Sequence, residues 1–236
     1  MSNPLLKDSV FDSPIRSNNI MTISGTINKS IVLWVLLIAS AFYAWTHPTT
    51  IMPLLVPLLI AGFVIAMISI FKKEVSPFLS PLYAICEGLI LGAISLSFEK
   101  SHPGIVVNAI LLTMCVLFCM LAAYKTGILK ATPRFQKVVV FSTLAICLVY
   151  VIDLLLNLFG AGSFSYIHNS SGLGIIISLV IVAIASLNLI IDFDLIEQGS
   201  NQGAPKYMEW YSAFALMITL VWLYLEMLRL LSKLRD

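Results

Sequence analysis

Residues 173–197 read LGIIISLVIVAIASLNLIIDFDLIE, and residues 208–231 read MEWYSAFALMITLVWLYLEMLRLL. The first stretch is apolar from Leu173 to Ile191 and then runs into Asp192, Asp194 and Glu197. The second carries Glu226 among Leu223, Tyr224, Leu225, Met227 and Leu228. Each apolar run is long enough to cross a bilayer, which takes about 20 residues in a helix. A charged side chain at the bilayer centre costs about 2.5–3.5 kcal/mol or more unless it faces a partner or a wet cavity. Acids in two consecutive spanning segments are therefore candidates for function.

Working outward, the whole chain has the same character. Of its 236 residues, 59% are hydrophobic and 11% charged, with a mean hydropathy of +0.98. Soluble domains are about 45–50% apolar and about 25% charged, so this is an integral membrane protein. The net charge of +2 says little, because location matters more than sum. No basic patch is interleaved with aromatics, which argues against a nucleic-acid partner and leaves the lipid bilayer as the expected one. The four cysteines, Cys86, Cys115, Cys119 and Cys147, all lie in apolar segments. Disulfide frameworks belong to extramembrane loops. Cys115 and Cys119 share a helix face, but no third ligand is near in sequence, and free cysteine behaves as a small hydrophobe.

Seven segments read as spanning helices: Ile31–Trp45, Ile51–Phe71, Pro81–Phe98, Ile105–Tyr124, Val138–Phe159, Leu173–Ile191 and Met208–Leu231. The first is short, and Ile27 with the residues around Lys29 can extend it. Pro48, Pro81, Pro103 and Pro133 fall between segments or at their starts, where a missing N–H costs least. Pro53 and Pro57 either delay the second helix or bend it. Residues 1–30 read as a mobile arm ahead of a transmembrane domain over 31–236. Ala39-Ser40-Ala41 resembles a cleavage site, but some 30 residues precede the first apolar run, too many for an ordinary signal peptide; a retained helix is expected.

Lysine and arginine set the orientation. Lys7, Arg16, Lys29, Lys72, Lys73, Lys125, Lys130, Arg134, Lys137 and Lys206 fall on one side, with only Lys100 opposite before the C-terminal end. The N-terminus is expected in the cytoplasm. Seven spans then put the C-terminus outside, against Arg229, Lys233 and Arg235; a seventh segment that re-enters without crossing would remove the conflict.

Five places can carry chemistry. Glu87 lies in Cys86-Glu-Gly-Leu-Ile-Leu-Gly92, whose Gly88 and Gly92 permit close helix approach. It reads equally as a bonded packing residue and as part of a proton or cation path. Asp153 shares a face with Asn157 and reads as a carboxylate near the outer interface. Asp194 and Glu197 share a face of the sixth helix, with Asp192 about 200° round from Asp194. These acids read either as a solvated helix end or as functional groups, and acids at a helix C-terminus oppose its dipole. Glu226, with Arg229 three residues on, reads either as a local ion pair or as an ion-sensing group. Glu209 is a further candidate neighbour of Asp192 and Asp194. Hard oxygen ligands of this kind suit protons or Ca²⁺, and carboxylates held close together share a proton. A channel, leak or transporter follows from that. Enzyme chemistry is not expected: His47, His102 and His168 lie in loops, and no HExxH, P-loop or dinucleotide-binding glycine pattern occurs. A regulatory protein that binds another membrane protein is a third class.

Leu189-Ile-Ile-Asp192-Phe-Asp-Leu-Ile196, Trp222-Leu-Tyr-Leu-Glu226-Met-Leu-Arg-Leu-Leu231 and Glu87-Gly88 resemble the Bax inhibitor family of transmembrane proteins, and its bacterial YccA-like branch in particular. The resemblance implies an all-α fold of seven transmembrane helices, the last central with six around it, in a bacterial inner membrane. It implies a pH-sensitive Ca²⁺ leak, with Asp192 and Glu226 as sensor and as Ca²⁺ ligands, Asp194 and Glu87 secondary, and Lys72 or Lys73 as the basic latch. No cofactor is implied beyond transported Ca²⁺ or H⁺. Some bacterial relatives instead modulate a membrane-bound protease, which is the alternative. Straight helices leave Asp192 and Glu226 at different depths: Glu226 is 18 residues past Met208, roughly 27 Å of helix. Either the seventh helix begins in the cytosol, the sixth continues toward Glu197, or the pair is a different one.

Overall fold

A computed structural model describes residues 20–159 and 170–236. His168 and most of the arm therefore lie outside the described residues. Among the described residues seven long helices follow in order: α1 (Ile23–Thr46), α2 (Pro48–Phe71), α3 (Lys73–Ser101), α4 (Ile105–Lys125), α5 (Pro133–Leu158), α6 (Gly172–Asn201) and α7 (Met208–Arg235). All seven are long and apolar enough to span a bilayer. Among the described residues the one extended pairing is an isolated bridge between Ile20 and Pro205.

Local chemistry sets the ends. Thr22, Thr132 and Ser171 cap α1, α5 and α6, each accepting from the N–H three residues on; side-chain caps satisfy donors that a helix start leaves free. Three spans run eight or more residues beyond the apolar stretches. The first helix begins at Ile23, eight residues before Ile31, and holds Lys29 within it. The third begins at Lys73, so Pro81 sits inside α3 rather than at its start. The sixth continues ten residues past Ile191 to Asn201. Polar contacts carry that extension: Gln198 donates to Asp194 one turn back, and Tyr124 of α4 donates to Glu197. Asp192 and Asp194 are thus not in the last turn, where the dipole argument applies.

Helix α7 is the axis. One cluster packs its Leu220, Leu223, Met227 and Leu228 against α4 and α6 through Ile105, Ala109, Ala185, Leu189 and Ile190. Another packs its Ala213, Phe214, Met217 and Val221 against α1 and α3 through Leu33, Leu37, Tyr83 and Leu91. Helices α2 and α5 stand at the periphery, chiefly against α3 and α6 respectively. Lipid is as apolar as leucine, so close packing and polar contacts must hold such helices together. The tightest approach is α1 on α3: Gly88 faces the Leu37 carbonyl and the Ser40 hydroxyl, and Gly92 faces the Ala41 carbonyl, with no room for a Cβ.

The ends of α7 lie on opposite faces of the bundle. Glu209 meets Thr22 and Lys29 at the start of α1. At the other end Asp236 accepts from Ser170 and pairs with His102, while Arg235 donates to the Pro103 carbonyl. The seventh helix therefore crosses, and does not re-enter. The cations that argued against crossing have internal partners: Arg229 meets Glu226, and Lys233 donates to the Ser178 hydroxyl and the Gly174 carbonyl.

Two outcomes are expected. Gly92→Leu forces α1 off α3 and lowers thermal stability in detergent by about 1–3 kcal/mol or more, whereas Gly172→Ala, whose Cβ meets nothing within 4 Å, is tolerated. Reporters placed after Asp236 and between Lys125 and Thr132 should score on opposite sides of the membrane.

Candidate buried carboxylate sites

The acids do not form one cluster. Asp192, on α6, is 9% exposed and faces the Thr219 hydroxyl near the midpoint of α7. Its Oδ2 has no hydrogen-bond partner among the described residues. Ionised, such an oxygen costs several kcal/mol unless a proton, a cation or water meets it.

Glu226 lies seven residues beyond Thr219, roughly 10 Å further along α7. It is 1% exposed and well provided for. Its Oε1 accepts from the Tyr150 hydroxyl of α5 at 2.8 Å, the Trp222 indole at 3.2 Å and the Arg229 guanidinium at 3.1 Å. Arg229 also stacks over the Tyr150 ring, 5.0 Å from its centroid. The local ion pair is thus formed, and Asp192 is not part of it. The longer sixth helix does not bring the two to one site.

Glu209 goes elsewhere again. It is 1% exposed, accepts from the Thr22 N–H and hydroxyl, and meets Lys29 at 3.2 Å. Gly25 lies so close to its carboxylate that a Cβ would overlap it. It ties α1 to α7 and is not the neighbour of Asp192 or Asp194. Asp194 accepts from Gln136 of α5 and from Gln198. Glu87 is half-buried and faces the Tyr83 hydroxyl one turn back on α3. Asp153 is buried, at 7% exposure, five residues from the end of α5. Lys72 and Lys73 are exposed at the α2–α3 turn. The Lys73 ammonium lies 5.1 Å from the Tyr211 ring centroid, and neither lysine makes an ion pair with Asp192. Cys115 and Cys119 face outward. Among the described residues no group of three His, Cys, Asp or Glu side chains is placed to hold a metal.

Outside the spans, Asp236 has its carboxyl held below the usual range by the Ser170 hydroxyl and then by His102. Its contribution is whole above the ordinary carboxylate value of about 3.9 and is lost as pH falls through the lower folded value. It stays ionised near neutrality.

Trp222 and Arg229 are legible as partners of Glu226 because they lie at i−4 and i+3 on its helix. Tyr150 and Thr219 are not, because only packing brings another helix to them.

The fold and these sites define a seven-span membrane protein with separately buried carboxylates. A family model described as Bax inhibitor 1 like matches residues 3–236, and the chain belongs to that family. Neither a curated protein nor a solved structure gives a significant match.

A contrast between the two deep acids is expected. Tyr150→Phe strips a donor from buried Glu226 and lowers stability by about 1–3 kcal/mol. Asp192→Asn removes no donor and leaves the thermal midpoint unchanged or higher.

Proposed function

We propose that this protein is not an enzyme but a pH-sensitive cation leak, with Ca²⁺ as cargo and Asp192 as the responsive group. The observation that supports this is the Asp192 carboxylate, buried near the midpoint of α7 with an oxygen that no donor meets among the described residues. Ionised, it draws a cation or water into the α6–α7 contact; protonated, it loses that charge and the contact stays dry. Cation occupancy then falls as pH falls. Glu226, already bonded to Tyr150 and Arg229, holds α5 against α7 in this reading. Asp236 stays ionised near neutrality, so a neutral-range response does not originate there. Lys72 and Lys73 serve as topogenic charge, on a cytoplasmic face shared with Lys29, Lys125, Lys130 and Arg134. Asp194 and Glu87 remain secondary candidates. The bacterial inner membrane and the YccA-like branch belong to this proposal.

Ca²⁺ flux into proteoliposomes across pH is the test. Wild type should show flux that varies with pH, Asp192→Asn flux that does not, and Glu226→Gln a retained pH response with lower stability. Wild-type vesicles without flux at any pH would sink the leak; co-purification of a membrane protease in that case favours the regulatory role.

A further inference from the structure

Helices α2 and α3 meet along a seam in which three buried serine hydroxyls have no hydrogen-bond partner among the described residues. Ser69 of α2 and Ser76 and Ser80 of α3 are all 0% exposed, and none of their hydroxyls has a hydrogen-bond partner among the described residues. In apolar surroundings a serine ordinarily bonds a carbonyl of its own helix, as Ser40, Thr113 and Ser186 do here.

The register brings the three together. Gly62 of α2 sits against Tyr83 and Ile90 of α3, its Cβ position 4.0 Å from each. The helices are joined by the tight turn at Lys72, so they run antiparallel. Ser69, two turns after Gly62, therefore lies opposite the residue two turns before Tyr83, which is Ser76. Ser80 is one turn further along the same face. Pro81 adds an acceptor: it has no N–H, so the Pro77 carbonyl in that turn lacks its intrahelical donor. Continuing along the face, Ser76, Ser80, Tyr83 and Glu87 fall at i, i+4, i+7 and i+11, a stripe roughly 16 Å long. It starts beside exposed Lys72 and Lys73 and ends at a half-buried carboxylate. Tyr83 and Cys86 are the titratable groups beside Glu87 on α3. Toward it, α1 over Ile31–Thr46, α2 over Pro48–Phe71 and α7 over Trp210–Leu225 carry no charged side chain.

We infer that the α2–α3 seam binds a chain of water molecules between the Lys72–Lys73 turn and Glu87, through which Glu87 exchanges protons with that face. Unpaired buried hydroxyls are costly when dry, and a polar site with several converging partners is where buried water resides. The stripe belongs to α2 and α3, not to the α6–α7 contact of Asp192, so the inference stands whether or not the protein leaks cations.

Two measurements test it without reading ion flux. In a background with Cys86, Cys115, Cys119 and Cys147 replaced by alanine, Ser80→Cys in vesicles should react with a membrane-impermeant methanethiosulfonate. The reaction should occur from the lysine-rich side only, at least tenfold faster than Ala93→Cys, buried on α3 beyond Glu87. Equal rates overturn the inference. The second is the thermal midpoint of Ser69→Ala/Ser80→Ala, which decides should the cysteine variants not fold. Hydroxyls that hold water lose bonds and the midpoint falls; dry, unpaired hydroxyls are a burden whose removal raises it, and a rise overturns the inference.

Discussion

Inside a bilayer a polar group finds its partner within the protein or goes without, because hydrocarbon supplies no hydrogen bonds. This constraint sorts the buried polar groups of the bundle. Glu226 collects a phenol, an indole and a guanidinium from two helices, and Glu209 collects a hydroxyl, an N–H and an ammonium. Both hold helices together. Asp192 and the serines of the α2–α3 seam are left short, and an incomplete set in a water-excluded place is where an ion, a proton or water has a reason to enter.

The same constraint explains why α7 is the axis. It carries polar anchors at both ends and in its last third, and each anchor engages a different helix or loop: α1 at Glu209, α5 at Glu226, α6 at Lys233 and the α3–α4 turn at Arg235. Between them, apolar side chains let α4 and α6 pack on one flank and α1 and α3 on the other. Glycine performs the complementary task on α3, where backbone must meet backbone.

Much of this is legible along the chain. Apolar length marks the seven spans, and Gly88-xxx-Gly92 marks a close approach that α1 takes up. The ends were less legible where polar residues stay helical. Gln198 and Glu197 resemble a linker until a partner one turn back or on α4 holds them in the helix. Pro81 resembles a start until the helix is seen to begin before it, at Lys73. The pairing of Asp192 with Glu226, implied by resemblance, did not survive geometry: a roughly 10 Å offset along α7 separates residues that composition makes equivalent.

By itself, the sequence determined the class of protein, the seven candidate spans and which residues are costly in lipid, since these follow from length, period and charge; that the seventh crosses was decided by what its two ends touch. It marked Arg229 as Glu226's partner on its own helix, because i+3 neighbours are set by helical geometry. Only the tertiary structure decided which acid is satisfied and which is bare. That depends on the depth and rotation at which separate helices meet, which are set by packing across the bundle and leave no fixed spacing in the chain.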